Sequence, residues 1–385
     1  MLRATMITKS DSPEKVLALF FTAGVSLKTW FKIGMIEREV ALYNELSKYF
    51  QKIFFFTYDS KEDLSMKKYL ADNITVVPKK YFTSNRALIN LFYSLLLPLI
   101  HRRILSQVDV IKTNQMWGSW SAILTKLLYR KKIIVRTGFI LSLTYPKKFK
   151  RSRRVWLIRI IEKLAYKLAD GIITTSKENY QYIEKTYEPS GVHILIPNYV
   201  ETDVFKPMKV SKRKGSICFV GRLTPQKNLF ALLDAFRALP FTLTIIGSGE
   251  QKEQLKQYAD ENKIKVAFLG NVPNHKLPNI LNQHELFILP SLWEGMPKVL
   301  LEAMSCGLPV IGTKVKGITE VITHGKNGIL CDTDSKSIRN AIIRLMHDEK
   351  KRQLGRNARK SILERYSLDI IKHDELKLIK NLTHK

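Results

Sequence analysis

The chain has 385 residues, 64 of them Lys or Arg and 34 Asp or Glu, for a net charge of +30. A hydrophobic share of 45% excludes a chain disordered throughout, and about 100–200 residues per domain points to two domains. The longest apolar run, Leu95–Ile100, falls far short of the about 20 residues that a membrane-crossing helix needs. The opening MLRATMITKSDSPEK lacks the apolar core of a secretory segment, so the expected location is the cytoplasm. Apolar runs of strand length then follow at Val16–Thr22, Ile53–Tyr58, Ile74–Val77, Val108–Thr113, Ile133–Thr137, Gly171–Thr175 and Ile194–Pro197. Helical periods separate them at Trp30–Tyr49, Arg86–Leu105, Ser119–Tyr129, Val155–Leu168 and Lys177–Tyr187. After a weakly patterned stretch, Asn198–Gly215, the alternation restarts with strands at Ser216–Val220, Phe241–Ile246, Val266–Leu269, Leu286–Leu289 and Val310–Gly312. This pattern predicts an α/β chain of two doubly wound parallel-sheet domains facing each other across a cleft, with ligands outside the carboxyl ends of the strands.

Cys218, Cys306 and Cys331 are odd in number and set among apolar or small neighbours, which reads as buried thiols. The 8 His and 3 Cys form no spaced cluster for a structural metal. Basic charge peaks between Lys126 and Lys167, where 14 Lys/Arg accompany one acid, Glu162. Such a density attracts polyanions without saying which kind.

Three segments carry candidate chemistry. Strand Ser216–Val220 runs into Gly221 and Arg222, with Lys227 five residues on and a helix beginning at Leu229. Two cations at a strand's carboxyl end, opening a helix, suit phosphate oxygens; each charge-assisted bond contributes about 1.5–3 kcal/mol. Gly247-Ser248-Gly249 lacks the third glycine and trailing acid of a dinucleotide fingerprint, which argues against a dehydrogenase. The third segment, Leu289 to Val310, reads as strand, glycine turn, a helix with Pro297 at its first position, and Gly307 closing it. Glu294 then precedes the helix and Glu302 lies inside it, separated by roughly 8 Å along the axis with the positive helix end between them. That frame suits a diphosphate flanked by hydroxyl groups, as in a sugar nucleotide.

These segments, with Gly270-Asn271-Val272 and Glu320-Val321-Ile322 leading to Asn327-Gly328, resemble the group 1 glycosyltransferases (glycosyltransferase family 4), retaining enzymes of two Rossmann-like domains, the GT-B type. In the first half the resemblance rests more loosely on Gly24, on Trp30 and Gly34 with Glu37-Arg38-Glu39, and on Pro197-Asn198. It implies an acceptor-side domain over 1–200, a nucleotide-sugar domain over 215–366 and a final helix, 367–385, returning to the first domain. It further implies that Arg222 and Lys227 bind the donor diphosphate and Glu294 the donor sugar. Gly221, Gly295, Met296 and Pro297 would approach phosphates and sugar, and Glu302 would hold the ribose. Val272 would flank the base, and Gly24 would meet the phosphates from the first domain. No further cofactor is implied beyond the donor, a uridine nucleotide being commoner than a guanosine one.

Two departures stand out. Where many relatives place a His after the strand ending at Thr113, this chain has Asn114 and Gln115. Asp332-Thr333-Asp334 copies an Asp-x-Asp metal motif but precedes a predicted helix, Lys336–Met346, which makes a helix cap the better reading. The apolar stretch Arg86 to Leu105 and the basic segment Tyr145 to Arg154 together fit attachment to an anionic inner membrane face, beside a glycan or glycolipid acceptor. Two other readings are a same-fold nucleotide-sugar epimerase and a nucleic-acid-binding protein. Charge favours the latter, but no recognition motif does, so no nucleic-acid partner is expected.

Overall fold

The computed structural model describes residues 14–59, 61–81, 87–143 and 153–383. Most of the basic segment expected between Tyr145 and Arg154 lies outside the described residues. Thirteen described strands form two all-parallel sheets. The first contains β1 (Val16–Phe20), β2 (Lys52–Phe56), β3 (Ile74–Val77), β4 (Val110–Thr113), β5 (Lys132–Thr137), β6 (Gly171–Thr174) and β7 (Val192–Leu195), in the order β3-β2-β1-β4-β5-β6-β7. The second contains β8 (Ser216–Val220), β9 (Thr242–Ile246), β10 (Val266–Gly270), β11 (Leu286–Leu289), β12 (Val310–Thr313) and β13 (Ile329–Cys331), in the order β10-β9-β8-β11-β12-β13. Chain order reverses between β1 and β4 and again between β8 and β11. A crevice therefore opens at the carboxyl end of each central pair. The central strands are buried on both faces, as the near-continuous apolar runs VLALF and SICFV require.

Most strands start and stop within two residues of expectation. The exception is β13, whose three residues are too short to stand out as a periodic run. The helix expected over Trp30–Tyr49 is two helices, Leu27–Lys32 and Ile36–Ser47. Gly34 separates them at φ +69°, while the Met35 N–H turns back to the Trp30 carbonyl at 2.8 Å. A glycine at left-handed φ ends a helix at little cost, and periodicity alone does not see it.

Each sheet has its own apolar core. The final helix, Leu368–Thr383, joins the first core through Ile371, Leu376, Leu378, Ile379 and Leu382. It also inserts a buried carboxylate: Glu375 pairs with Lys112, and with Arg136 at 2.8 Å. Burial pulls the Lys112 ammonium down to about 8 even with Glu375 beside it. The three cysteines are buried and free, and burial raises each thiol, Cys306 and Cys331 to about 12. Asp334 caps the helix Ser335–His347 by accepting from the Ser337 N–H at 2.8 Å. No described helix is long and apolar enough to cross a membrane.

Candidate active site

A cleft of about 1270 Å³ lies between the two sheets, at the carboxyl ends of their strands. Its second-domain wall begins where β8 ends. Gly221 lies under the loop from β9: a side chain at Gly247, φ +130°, would overlap the Gly221 carbonyl, and one at Gly249 would overlap Leu223. The pair of glycines that reads as weak in sequence thus lets two strand ends pack backbone to backbone. Packing there sets the direction of Arg222 and Lys227, both of which line the cleft.

Lys227 is buried and ion-paired with Glu294, whose same carboxylate oxygen accepts from the Ser291 hydroxyl at 2.7 Å. The loops carrying the pair are tied by the Leu292 N–H to the Gln226 carbonyl and by the Gln226 amide to the Trp293 carbonyl, each at 2.8 Å. A buried Lys–Glu pair with a hydroxyl on the carboxylate is held in one geometry before any ligand arrives. Arg222 is exposed to the cleft and has no ion-pair partner among the described residues.

Gly295, Met296, Pro297, Lys298 and Val299 follow along the wall, as does Val272 from the loop after β10. Pro297 caps the helix Lys298–Ser305 from just outside it, one place earlier than expected, and offers no side-chain cap. The helix thus starts at the cleft wall without a side-chain cap, a place where an anion could meet its first N–H groups. A side chain at Gly295 would lie 3.0 Å from the Phe139 ring and 3.1 Å from the Gly138 carbonyl, so the first domain closes directly over this loop.

Glu302 is placed one layer behind the wall. It is 2% exposed, accepting from Arg38 at 3.0 Å and Asn274 at 3.3 Å. Arg38 lies 3.5 Å from Glu39, and Glu39 pairs with Lys298 at 2.7 Å, so four charges, Glu302 buried and the other three partly so, alternate in sign across the domain boundary. Burial opposes the charge on Arg38, but Glu302 and Glu39 outweigh it and raise its pKa. Desolvation likewise opposes the charge on Glu39, yet Lys298 and Arg38 hold its carboxyl below the usual range. Gly24, φ +83°, is exposed near Asn90 and is not on the cleft wall, although its neighbour Val25 is.

The first domain supplies Asn114, Gln115, Arg136 and Asn198. No histidine lines the described wall. Arg136, fixed by Glu375, donates to Asn198 at 3.2 Å, and the Asn198 amide donates to the Met296 carbonyl at 2.8 Å. Arg136 and Glu375 are 239 positions apart, and no local sequence signal connects them. Opposite, Glu320 accepts the backbone N–H groups of Lys177 at 3.0 Å and Glu178 at 3.5 Å, while Lys316 pairs with Glu178 at 2.6 Å. Glu320 thus caps a helix of the other domain.

Residues 41–204 match Glycosyltransferase Family 4 and residues 201–361 match Glycosyl transferases group 1, so the matches span both sheets. The chain belongs to the group 1 glycosyltransferases. Within this family it is 30% identical over 230 residues to the UDP-Gal:alpha-D-GlcNAc-diphosphoundecaprenol alpha-1,3-galactosyltransferase of Escherichia coli, a match covering 54% of this chain and 59% of that enzyme. Solved structures confirm the GT-B architecture of these glycosyltransferases. The sucrose-phosphate synthase of Thermosynechococcus elongatus superposes with a TM-score of 0.78 at 18% identity, covering 96% of this chain and 99% of that one. HepE of Anabaena, solved in complex with UDP and glucose, superposes with a TM-score of 0.75 at 18% identity, covering 96% and 100%.

Proposed function

We propose that this chain is a retaining, metal-independent glycosyltransferase. It moves a sugar from a nucleoside-diphosphate sugar, UDP in preference to GDP, to a lipid-linked or cell-surface glycan at an anionic inner membrane face. One observation carries the reading: Arg222 and the ion-paired Lys227 and Glu294 line the same cleft as the start of the helix Lys298–Ser305. Arg222, Lys227 and the helix N–H groups stabilise the charge that grows on the departing diphosphate, and charge held in place beforehand is an efficient source of rate. Glu294, fixed by Lys227 and Ser291, accepts from donor-sugar hydroxyls. Glu302 reaches the ribose once Arg38 yields it. Asn114 and Gln115 offer no general base, which fits a mechanism in which the leaving phosphate takes the acceptor proton.

The relatives support the substrate classes: the E. coli enzyme is named for UDP-galactose and a diphosphoundecaprenol-linked acceptor, and HepE holds UDP and glucose. The test is donor hydrolysis across UDP- and GDP-sugars, with the anomer of the released sugar followed by NMR. Slow release of the retained anomer from a UDP-sugar is expected. Conversion of the donor to its isomer without release would favour an epimerase instead.

A further inference from the structure

The helix Ala87–Ile100 is built inside out. Its inward face carries Asn90, Tyr93, Ser94, Leu97 and Pro98, and most of its leucines point to solvent. The inward polar groups are used. Trp120 donates to the Ser94 hydroxyl at 2.6 Å, and Tyr93 bonds His101 at 3.1 Å. Pro98 has no N–H for the Ser94 carbonyl, which takes the Ser121 hydroxyl at 2.7 Å instead. Rotating the helix to bury its leucines would strand all of these, so the outward apolar face is fixed by the packing.

That face is Leu88, Leu91, Phe92, Leu95, Leu96 and Leu99; Leu88, Phe92 and Leu99 are 70%, 60% and 56% exposed. At 100° per residue the six positions cover an arc of about 140°, a continuous band about 20 Å long. The adjoining helices extend it with Leu127, Leu128, Trp156 and Leu157, all exposed. Arg102, Arg103, Arg130, Arg159 and Lys163 are exposed on the same three-helix layer or at its ends. Residues 87–168 contain two acids: Glu162 is fully buried, and Asp109 accepts from the Val16 N–H at 2.7 Å.

We infer that this layer docks on an anionic phospholipid bilayer, leucines and aromatics entering the interface and cations meeting the headgroups. The inference deepens the membrane-side reading above by naming its surface. Charge complementarity selects the occupant. A second copy seated here would bring like charges together, whereas an anionic headgroup layer answers both features at once. The helix begins beside the Gly24–Val25 loop at the edge of the cleft, so docking brings the acceptor side of the cleft to the bilayer.

The test is flotation of the full chain with phosphatidylcholine vesicles and with phosphatidylcholine–phosphatidylglycerol vesicles, alongside F92Q/L95Q/L99Q and R102E/R103E. Wild type should float with the anionic vesicles only, and each variant should lose about tenfold or more of that binding while keeping its thermal midpoint and its vesicle-free hydrolysis of a UDP-sugar. Absent wild-type flotation, or variants that float like wild type, overturns the inference. So does a wild-type dimer in sedimentation velocity that F92Q/L95Q/L99Q splits. Flotation without any donor turnover would sink the catalytic reading and leave the docking face standing.

Discussion

Lys227 and Glu294 neutralise each other at the cleft wall, and that pairing shapes what each substitution should do. Glu294→Gln keeps the shape and the Ser291 bond but removes the charge that orients Lys227 and that, in the proposed reaction, accepts from the sugar. Turnover should fall about 100-fold or more while the thermal midpoint moves little; unchanged kcat would place Glu294 outside the reaction. Glu201 is a second readable residue. Burial, with Glu302 and Glu37 nearby, raises its carboxyl to about 7. A carboxyl raised in the folded state binds more protons there than in the unfolded chain between pH 4.5 and 7, so this group makes stability fall as pH rises through that window. Glu201→Gln should remove that slope and add on the order of 1–2 kcal/mol above pH 7, read from urea unfolding at pH 5 and pH 8. Legibility divides by distance along the chain. Lys227, Glu294 and Met296 sit in local motifs that spell out a loop and a helix start. Arg38, Arg136 and Glu375 act through partners more than 200 positions away, and nothing beside them announces it.

At the scale of elements, strand ends deliver the site and glycines let them meet. Gly247 is the sharpest case, because both its φ and the Gly221 carbonyl forbid a side chain. Gly247→Ala should cost several kcal/mol by thermal unfolding, of the order of other strained buried sites, and should raise the donor KM by shifting the Arg222 loop. An unaltered KM would mean the two loops are not coupled. The parallel strands were visible as apolar runs because both faces are covered, whereas the break at Gly34 was not, since apolar residues keep helical spacing on both sides of it. The inverted helix Ala87–Ile100 shows the same limit from the other side. Its leucines advertise a helix, but only the hydrogen bonds of Ser94 and Tyr93 tell which face turns inward.

Across the whole molecule, two clamps bracket the cleft: Arg38 and Glu39 against Glu302 and Lys298 on one side, and Glu320 with Lys316 against Lys177 and Glu178 on the other. These contacts tie the two domains together, with Arg38 on Glu302, the carboxylate proposed above for the ribose. R38A/E320A should raise the radius of gyration measured by small-angle scattering without ligand, and a UDP-sugar should restore part of the compaction; no change would show that other contacts set the domain angle. The central claim is that a diphosphate rests between Arg222, Lys227 and the start of the helix Lys298–Ser305. Isothermal titration of UDP into wild type, R222A and K227A tests it without any acceptor. Measurable wild-type affinity and a loss of about 10- to 100-fold in each variant are expected. Equal affinity in all three proteins would contradict it.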